Sequence, residues 1–168
     1  AHALGHIHLE LDTDGVARSV FLREGTQGQW WPHFALALHD RGLAIQRKMQ
    51  ADGNQMPTLQ GSQSFAQQLS TSTAHPSKTW QRDWQMHIPY YGGSGHFSSV
   101  PYVAVLRGEV PADFFRGKYV LVGTTATGMA DAFPTPVTSN EGSLSGIEIN
   151  ANILASLLDG RSITPLAV

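Results

Sequence analysis

Gly117-Lys118-Tyr119-Val120-Leu121-Val122-Gly123-Thr124-Thr125-Ala126-Thr127-Gly128-Met129-Ala130-Asp131 runs on through Phe133-Pro134-Thr135-Pro136 to Gly146-Ile147-Glu148-Ile149-Asn150-Ala151-Asn152. The unbroken apolar run Tyr119 to Val122 is the pattern of a strand buried on both faces. It opens into a turn rich in glycine and threonine and then meets a carboxylate, Asp131. An amphipathic helix follows. Ser145 and Glu148 stand at the S-x-x-E spacing of a capping box, in which each side chain satisfies a free N–H of the helix start. Ile147, Ala151, Leu154 and Leu158 recur on one helical face, and Gly160 ends the run. Strand, polar turn and helix together predict an α/β fold.

In open α/β sheets, ligands sit beyond the carboxyl ends of strands. The turn after Val122 has the chemistry for that role. Thr124, Thr125 and Thr127 offer hydroxyls, Gly123 and Gly128 permit close backbone approach, and Asp131 supplies a charge. Asn150 joins them from the first turn of the helix. These five polar residues, Thr124, Thr125, Thr127, Asp131 and Asn150, are the candidate ligand-binding set. Each also has an ordinary explanation. Threonines cap turns, Asp131 can bond nearby N–H groups, and the capping box accounts for Glu148. Asn150 and Asn152 are mediocre residues for a helix interior, which predicts hydrogen bonds from them to the preceding loop. The stretch contains no nucleophile paired with a base, so no catalytic residue is assigned.

Outward from this unit, His6 to Leu11 alternates, with Ile7, Leu9 and Leu11 on one face. Val16 to Leu22 alternates as well, and Asp12-Thr13-Asp14-Gly15 between them has turn chemistry, predicting a β-hairpin. Pro32 and Gly42 bracket a helix over about 32–41. Trp84 to Tyr90 reads as a half-buried strand, with Pro89 favouring an edge or terminal position. Short helices are predicted at Val100 to Leu106, stopped by Gly108, and at Pro111 to Phe115. Residues 50–79 are polar and aperiodic, the texture of a long flexible surface loop. The whole reads as a single α/β domain over 1–168, a mixed β-sheet with a hairpin and flanking helices.

Composition narrows the function. The chain has 168 residues, an apolar fraction of 41%, and a net charge of −2 with eleven basic side chains spread singly, so it lacks the basic footprint of a nucleic-acid binder. It has no cysteine and therefore neither disulfide nor thiolate site. No window approaches the roughly 18 apolar residues of a membrane span. Both ends look cut, which predicts a piece of a longer protein. Phosphate-loop, dinucleotide and HExxH motifs are absent. Gly92-Gly93-Ser94-Gly95-His96 departs from a nucleophile elbow at His96 and reads as a turn. His6 and His8 share a strand face at a spacing that can hold a metal, but no third ligand is evident nearby. No metal site and no cofactor are assigned.

The residues also carry a resemblance. Leu4-Gly5-His6, Asp12-Thr13-Asp14-Gly15-Val16-Ala17-Arg18, Tyr90-Tyr91-Gly92 and Val105-Leu106-Arg107-Gly108 form its first part. Lys118 to Ala126, Asp131 to Pro136 and Gly146 to Asn152 complete it. In order and over nearly the whole chain, they resemble the C-terminal half of the type-2 CHASE domain, with the variable region of that family falling on 50–79. The resemblance implies an extracytoplasmic (periplasmic or extracellular) sensory module of an inner-membrane bacterial receptor, beside transmembrane helices. The outputs of such receptors are histidine kinases, diguanylate or adenylate cyclases, or Ser/Thr kinases. It implies no catalytic residues, an unknown small-molecule ligand and a homodimer. A dimerisation module that binds no small molecule is the alternative. Asn150 stands where that family commonly has His, and the family's N-terminal half lies outside the matched residues.

Overall fold

The turn at Asp12–Gly15 folds as its chemistry predicts. Gly15 donates its N–H to the Asp12 carbonyl at 2.8 Å, and Asp12 donates to Val16 at 3.0 Å. The Arg18 guanidinium clamps the turn, reaching Asp12 at 2.7 Å and both carboxylate oxygens of Asp14 at 2.8 Å. This pairing holds the Asp14 carboxyl down at about 2. The hairpin that follows is asymmetric, joining β1 (Glu10–Leu11) to β2 (Ala17–Thr26). The computed structural model describes residues 3–26, 29–47, 80–125, 131–138 and 142–163. The predicted loop at 50–79 lies outside them.

β2 is the central strand. Its N-terminal half pairs with β1, and its C-terminal half with β3 (Gln29–Pro32). β4 (Gln81–His87) pairs along the same residues from Ser19 to Gly25. Ser19 and Arg23 each have a partner on either side, so β1 and β3 share one edge of β2 while β4 takes the other. All of these ladders are antiparallel, and an isolated bridge between His6 and His33 adds a parallel pairing to the mixed sheet. The strand predicted at Trp84 to Tyr90 is thus present, ending before Pro89, which would have no N–H to donate to a ladder.

Helices cover one face of this sheet. α1 (Phe34–Arg47) contributes Ala35 and Leu36, which join Val20, Leu22, Met86 and Ile88 of the sheet segment in one buried cluster. After β4 come α2 (Tyr102–Leu106), a 3₁₀ turn at Ala112–Phe114, the short pair β5 (Ala132–Phe133) and β6 (Leu144–Ser145), and α3 (Gly146–Leu158). α3 packs against α1 and buries Ile149, Ile153, Leu154 and Leu157 in the same core. Full burial of such side chains is worth about 1.5–3 kcal/mol each, which makes α3 the main apolar lid of the domain. The helix stops predicted at Gly108 and Gly160 hold. At each, paired bonds return to the last turn, Glu109 N–H to Ala104 and Gly108 N–H to Val105 in α2, Arg161 N–H to Ser156 and Gly160 N–H to Leu157 in α3.

Four expectations need correction. Tyr119–Val122 forms no strand. Tyr119 and Leu121 pack on the core while Val120 and Val122 are 50% and 71% exposed, because the core lies on one side and no described strand pairs with this segment. The first hairpin strand is short. Leu9 packs inward, but Ile7 and Leu11 are exposed, because the chain before Glu10 turns to run beside His33. α1 passes through Gly42 instead of stopping there. A Cβ at Gly42 would stand 1.7 Å from the Tyr119 hydroxyl, so this glycine makes room for a neighbouring segment. Finally, the buried face of α3 is centred on Ile149, Ile153 and Leu157, with Leu158 exposed. Helix α1, the sheet and the loop after β4 enclose more of α3 than a narrow stripe.

Candidate functional site

The first turn of α3 is where separate parts of the chain converge. Ser145 is the N-cap, but its hydroxyl makes no bond to the helix N–H groups. It donates to Glu148 Oε2 at 2.8 Å, and Glu148 Oε1 accepts the N–H of Gly95 at 2.7 Å. The predicted capping box is therefore replaced by a bridge from the helix to the turn after β4. Charge-assisted bonds of this kind are stronger than neutral ones, and a carboxylate in the first turn also suits the helix dipole.

One turn further along, Asn152 is fully buried. Its Oδ1 accepts the Tyr91 N–H at 2.8 Å, and its Nδ2 donates to the Glu148 carbonyl at 2.9 Å and the Gly92 carbonyl at 3.4 Å. The bonds expected to the loop just before the helix go instead to the loop sixty residues earlier. Tyr91 runs on along the helix, its hydroxyl donating to Asp159 at 2.7 Å. Neither partner was visible in local sequence. The signal that pointed to Asn152 was its poor fit to a helix interior.

The candidate ligand loop reaches the same turn by two contacts. A Cβ at Gly123 would lie 2.8 Å from the Ile147 Cβ, so glycine lets the chain cross directly over the helix start. The Asp131 carbonyl accepts the Gly146 N–H at 2.8 Å. Thr124, Thr125 and Asp131 are exposed, and Thr127 lies outside the described residues. Asn150 is 6% exposed. Its Nδ2 donates to the Gly146 carbonyl at 2.8 Å, and its Oδ1 is buried with no partner among the described residues. The two ends of the loop and Asn150 are thus gathered at one helix end, Asn150 inside and the others at the surface. This arrangement offers hydrogen-bonding groups and a carboxylate. Ser94 sits in a plain turn closed by the His96 N–H on the Gly93 carbonyl, as predicted.

A second polar cluster surrounds the N-terminal histidines. His6 is pinned beside α1 by its N–H on the Pro32 carbonyl at 3.0 Å and its carbonyl under the Phe34 N–H at 2.7 Å. His8 Nδ1 lies 2.8 Å from Glu24 Oε2, which also accepts the Trp80 indole N–H at 3.1 Å. Glu24 is 1% exposed. Burial alone would raise its pKa, but hydrogen bonds from His8 and Trp80 and the neighbouring charges outweigh that and hold it low. His33 is fully buried and its pKa is pushed down to about 3, first by burial and then by the other two histidines; burial also lowers His6. The third group that the sequence did not place beside His6 and His8 is Glu24, brought there by β2.

Among the described residues no helix is long and apolar enough to cross a membrane. No match was found among curated proteins or among solved structures. The family model of the CHASE2 domain matches residues 1–167. Thus the chain belongs to the CHASE2 domain family, sensory domains of extracytoplasmic receptors.

Proposed function

We propose that this chain is the periplasmic or extracellular sensor of an inner-membrane bacterial receptor whose output is a histidine kinase, a diguanylate or adenylate cyclase, or a Ser/Thr kinase. It acts without catalysis of its own, as a homodimer joined to flanking transmembrane helices. A small molecule meets Thr124, Thr125, Thr127, Asp131 and Asn150, and α3 carries the consequence toward the membrane. The observation that supports this reading is the convergence on one turn of α3. Gly95 bonds Glu148, Tyr91 bonds Asn152, and Asp131 bonds Gly146, so displacement of any of these loops pulls on the same helix. The far end of α3 leads at once to Ile163, whose N–H reaches the His87 carbonyl at 3.5 Å, linking helix movement to the central sheet. A ligand shifts such an equilibrium only by its differential affinity for the two arrangements.

Two experiments test this. A thermal-shift screen against metabolites and sugars detects a ligand, since a hundredfold excess over the dissociation constant adds about 2.7 kcal/mol of stability. The hit is lost in Asp131→Ala if the loop is the site. A one-residue insertion after Ser162 in the intact receptor then breaks the register of the exit. Output that still responds to the ligand in that variant overturns α3 as transmitter.

A second reading, a dimerisation module that binds no small molecule, is favoured by α2. This helix has no buried residue, and Tyr102 and Leu106 are 62% and 69% exposed. An empty screen together with dimerisation that depends on α2 selects this reading.

A further inference from the structure

We propose that His6, His8 and Glu24 form a binding site for a divalent transition-metal ion of the zinc class. One ligating atom from each of the three lies within 4.8 Å of those of the other two. Two imidazoles and a carboxylate are a donor set used by zinc sites that keep a position open for water or another ligand. Imidazole nitrogens select transition ions over calcium and magnesium, which take oxygen ligands.

The state of each group points the same way. Both ring nitrogens of His6 are buried and have no hydrogen-bond partner among the described residues. Buried polar atoms are nearly always satisfied, and leaving one orphaned is costly. A metal bound at one nitrogen removes half of that debt. Glu24 is a buried carboxylate, a group that persists only when paired. The guanidinium facing it, Arg82 Nε at 3.5 Å from Oε1, is shared with Glu10. Two carboxylates thus share one guanidinium, and another close partner of Glu24 is His8 Nδ1 at 2.8 Å from Oε2, a contact that an ion held between the two side chains replaces. The Trp80 indole N–H on Glu24 Oε2 supplies the kind of outer hydrogen bond that orients a ligating carboxylate.

His33 is a neighbour rather than a fourth ligand. Its ring meets that of His6 edge-on, with centroids 5.1 Å apart. Its Nδ1 accepts the Ala35 N–H at 3.2 Å, which assigns the proton of the neutral ring to Nε2, and Nε2 is buried without a partner among the described residues. His33 is therefore a neutral ring packed against His6, outside the donor set.

None of these residues belongs to the loop gathered at α3, so the proposal stands independently of the ligand reading above. The test is zinc titration of the chelator-treated 168-residue chain against a chromophoric zinc competitor. The wild type is expected to take up about one equivalent, as the donor set of a single site requires. That uptake is lost in His8→Ala and in Glu24→Gln and kept in His96→Ala, a change at an exposed histidine outside the cluster. The His8 side chain is 61% exposed, so His8→Ala leaves the fold intact, which circular dichroism verifies. Failure of the wild type to take up zinc overturns the proposal, as does wild-type uptake in either His8→Ala or Glu24→Gln.

Discussion

Asn152 on α3 accepts the backbone N–H of Tyr91 at 2.8 Å while itself fully excluded from solvent. This side chain closes the open end of the strand segment onto the helix. Removing it leaves a buried N–H and the Gly92 carbonyl short of a partner. Asn152→Ala is expected to cost about 1–3 kcal/mol, the penalty for an unsatisfied buried group, read as a drop in the urea midpoint. A loss below about 0.5 kcal/mol, the range of ordinary surface changes, would mean that water replaces the bond freely.

Gly42 provides a test of opposite sign to simple propensity. Alanine is about 1 kcal/mol better than glycine inside a helix, so Gly42→Ala should stabilise α1 on that ground alone. The Tyr119 hydroxyl, 1.7 Å from where the new Cβ would stand, reverses the sign. Overpacking costs about 1–3 kcal/mol, so Gly42→Ala lowers the melting temperature. Adding Tyr119→Leu to that variant restores part of the loss.

Tyr90 is expected to contribute to the alkaline pH dependence of stability. Its hydroxyl donates to the Ala17 carbonyl at 2.9 Å, and burial raises its pKa. The folded state keeps the phenol neutral while the unfolded chain ionises near pH ~10. The contribution is therefore complete below pH ~10 and falls away as the pH climbs above it. Tyr90→Phe should cost about 1 kcal/mol at neutral pH and flatten the alkaline decline in melting temperature.

Asp14 works at the other end of the scale. Arg18 holds its carboxyl at about 2 in the fold, against about 3.9 for a free aspartate. Its contribution is present above pH ~4 and is lost as the pH falls toward 2. Asp14→Asn should make melting temperature less dependent on pH within that window, and unchanged dependence would place the acid sensitivity elsewhere.

The exposed face of α2 allows the proposed dimer to be tested. Val103 and Leu106 are 49% and 69% exposed. Replacing both with glutamate should shift a dimer toward monomer in sedimentation velocity and leave the melting temperature of the monomer nearly unchanged, since neither side chain supports the core. A dimer that survives the double replacement excludes α2 from the interface.

The elements legible in the sequence are those whose cause is local. The turn at Asp12–Gly15 and the helix stops at Gly108 and Gly160 depend on backbone preferences of a few adjacent residues, and all of them appear, while the strand expected at Trp84 to Tyr90 lies three residues earlier, at Gln81–His87. The α/β class was legible for the same reason, because alternation and helical spacing are local periodicities. The structure departs from the sequence pattern where a residue's role depends on a distant neighbour. Tyr119 to Val122 satisfies the pattern of a buried strand, yet a pattern cannot supply the second covering layer, and Val120 and Val122 remain in solvent.

Glu148 shows the same division within the candidate site. Its spacing from Ser145 predicted a local capping box, and the two side chains do meet, at 2.8 Å. The second bond goes to Gly95, a partner set by how the loop after β4 lies over α3. Of the candidate ligand residues, the tertiary fold places Asn150 inside and Thr124, Thr125 and Asp131 at the surface. It also brings Glu24 to His6 and His8, a meeting invisible to a search for ligands near those histidines. Sequence alone determined the α/β class and the turns and helix stops whose cause is local, because short-range sterics and hydrophobic period are written residue by residue. Tertiary structure alone decided which polar groups face one another, because those contacts join side chains far apart in the chain, through the packing of α1 and α3 on the sheet.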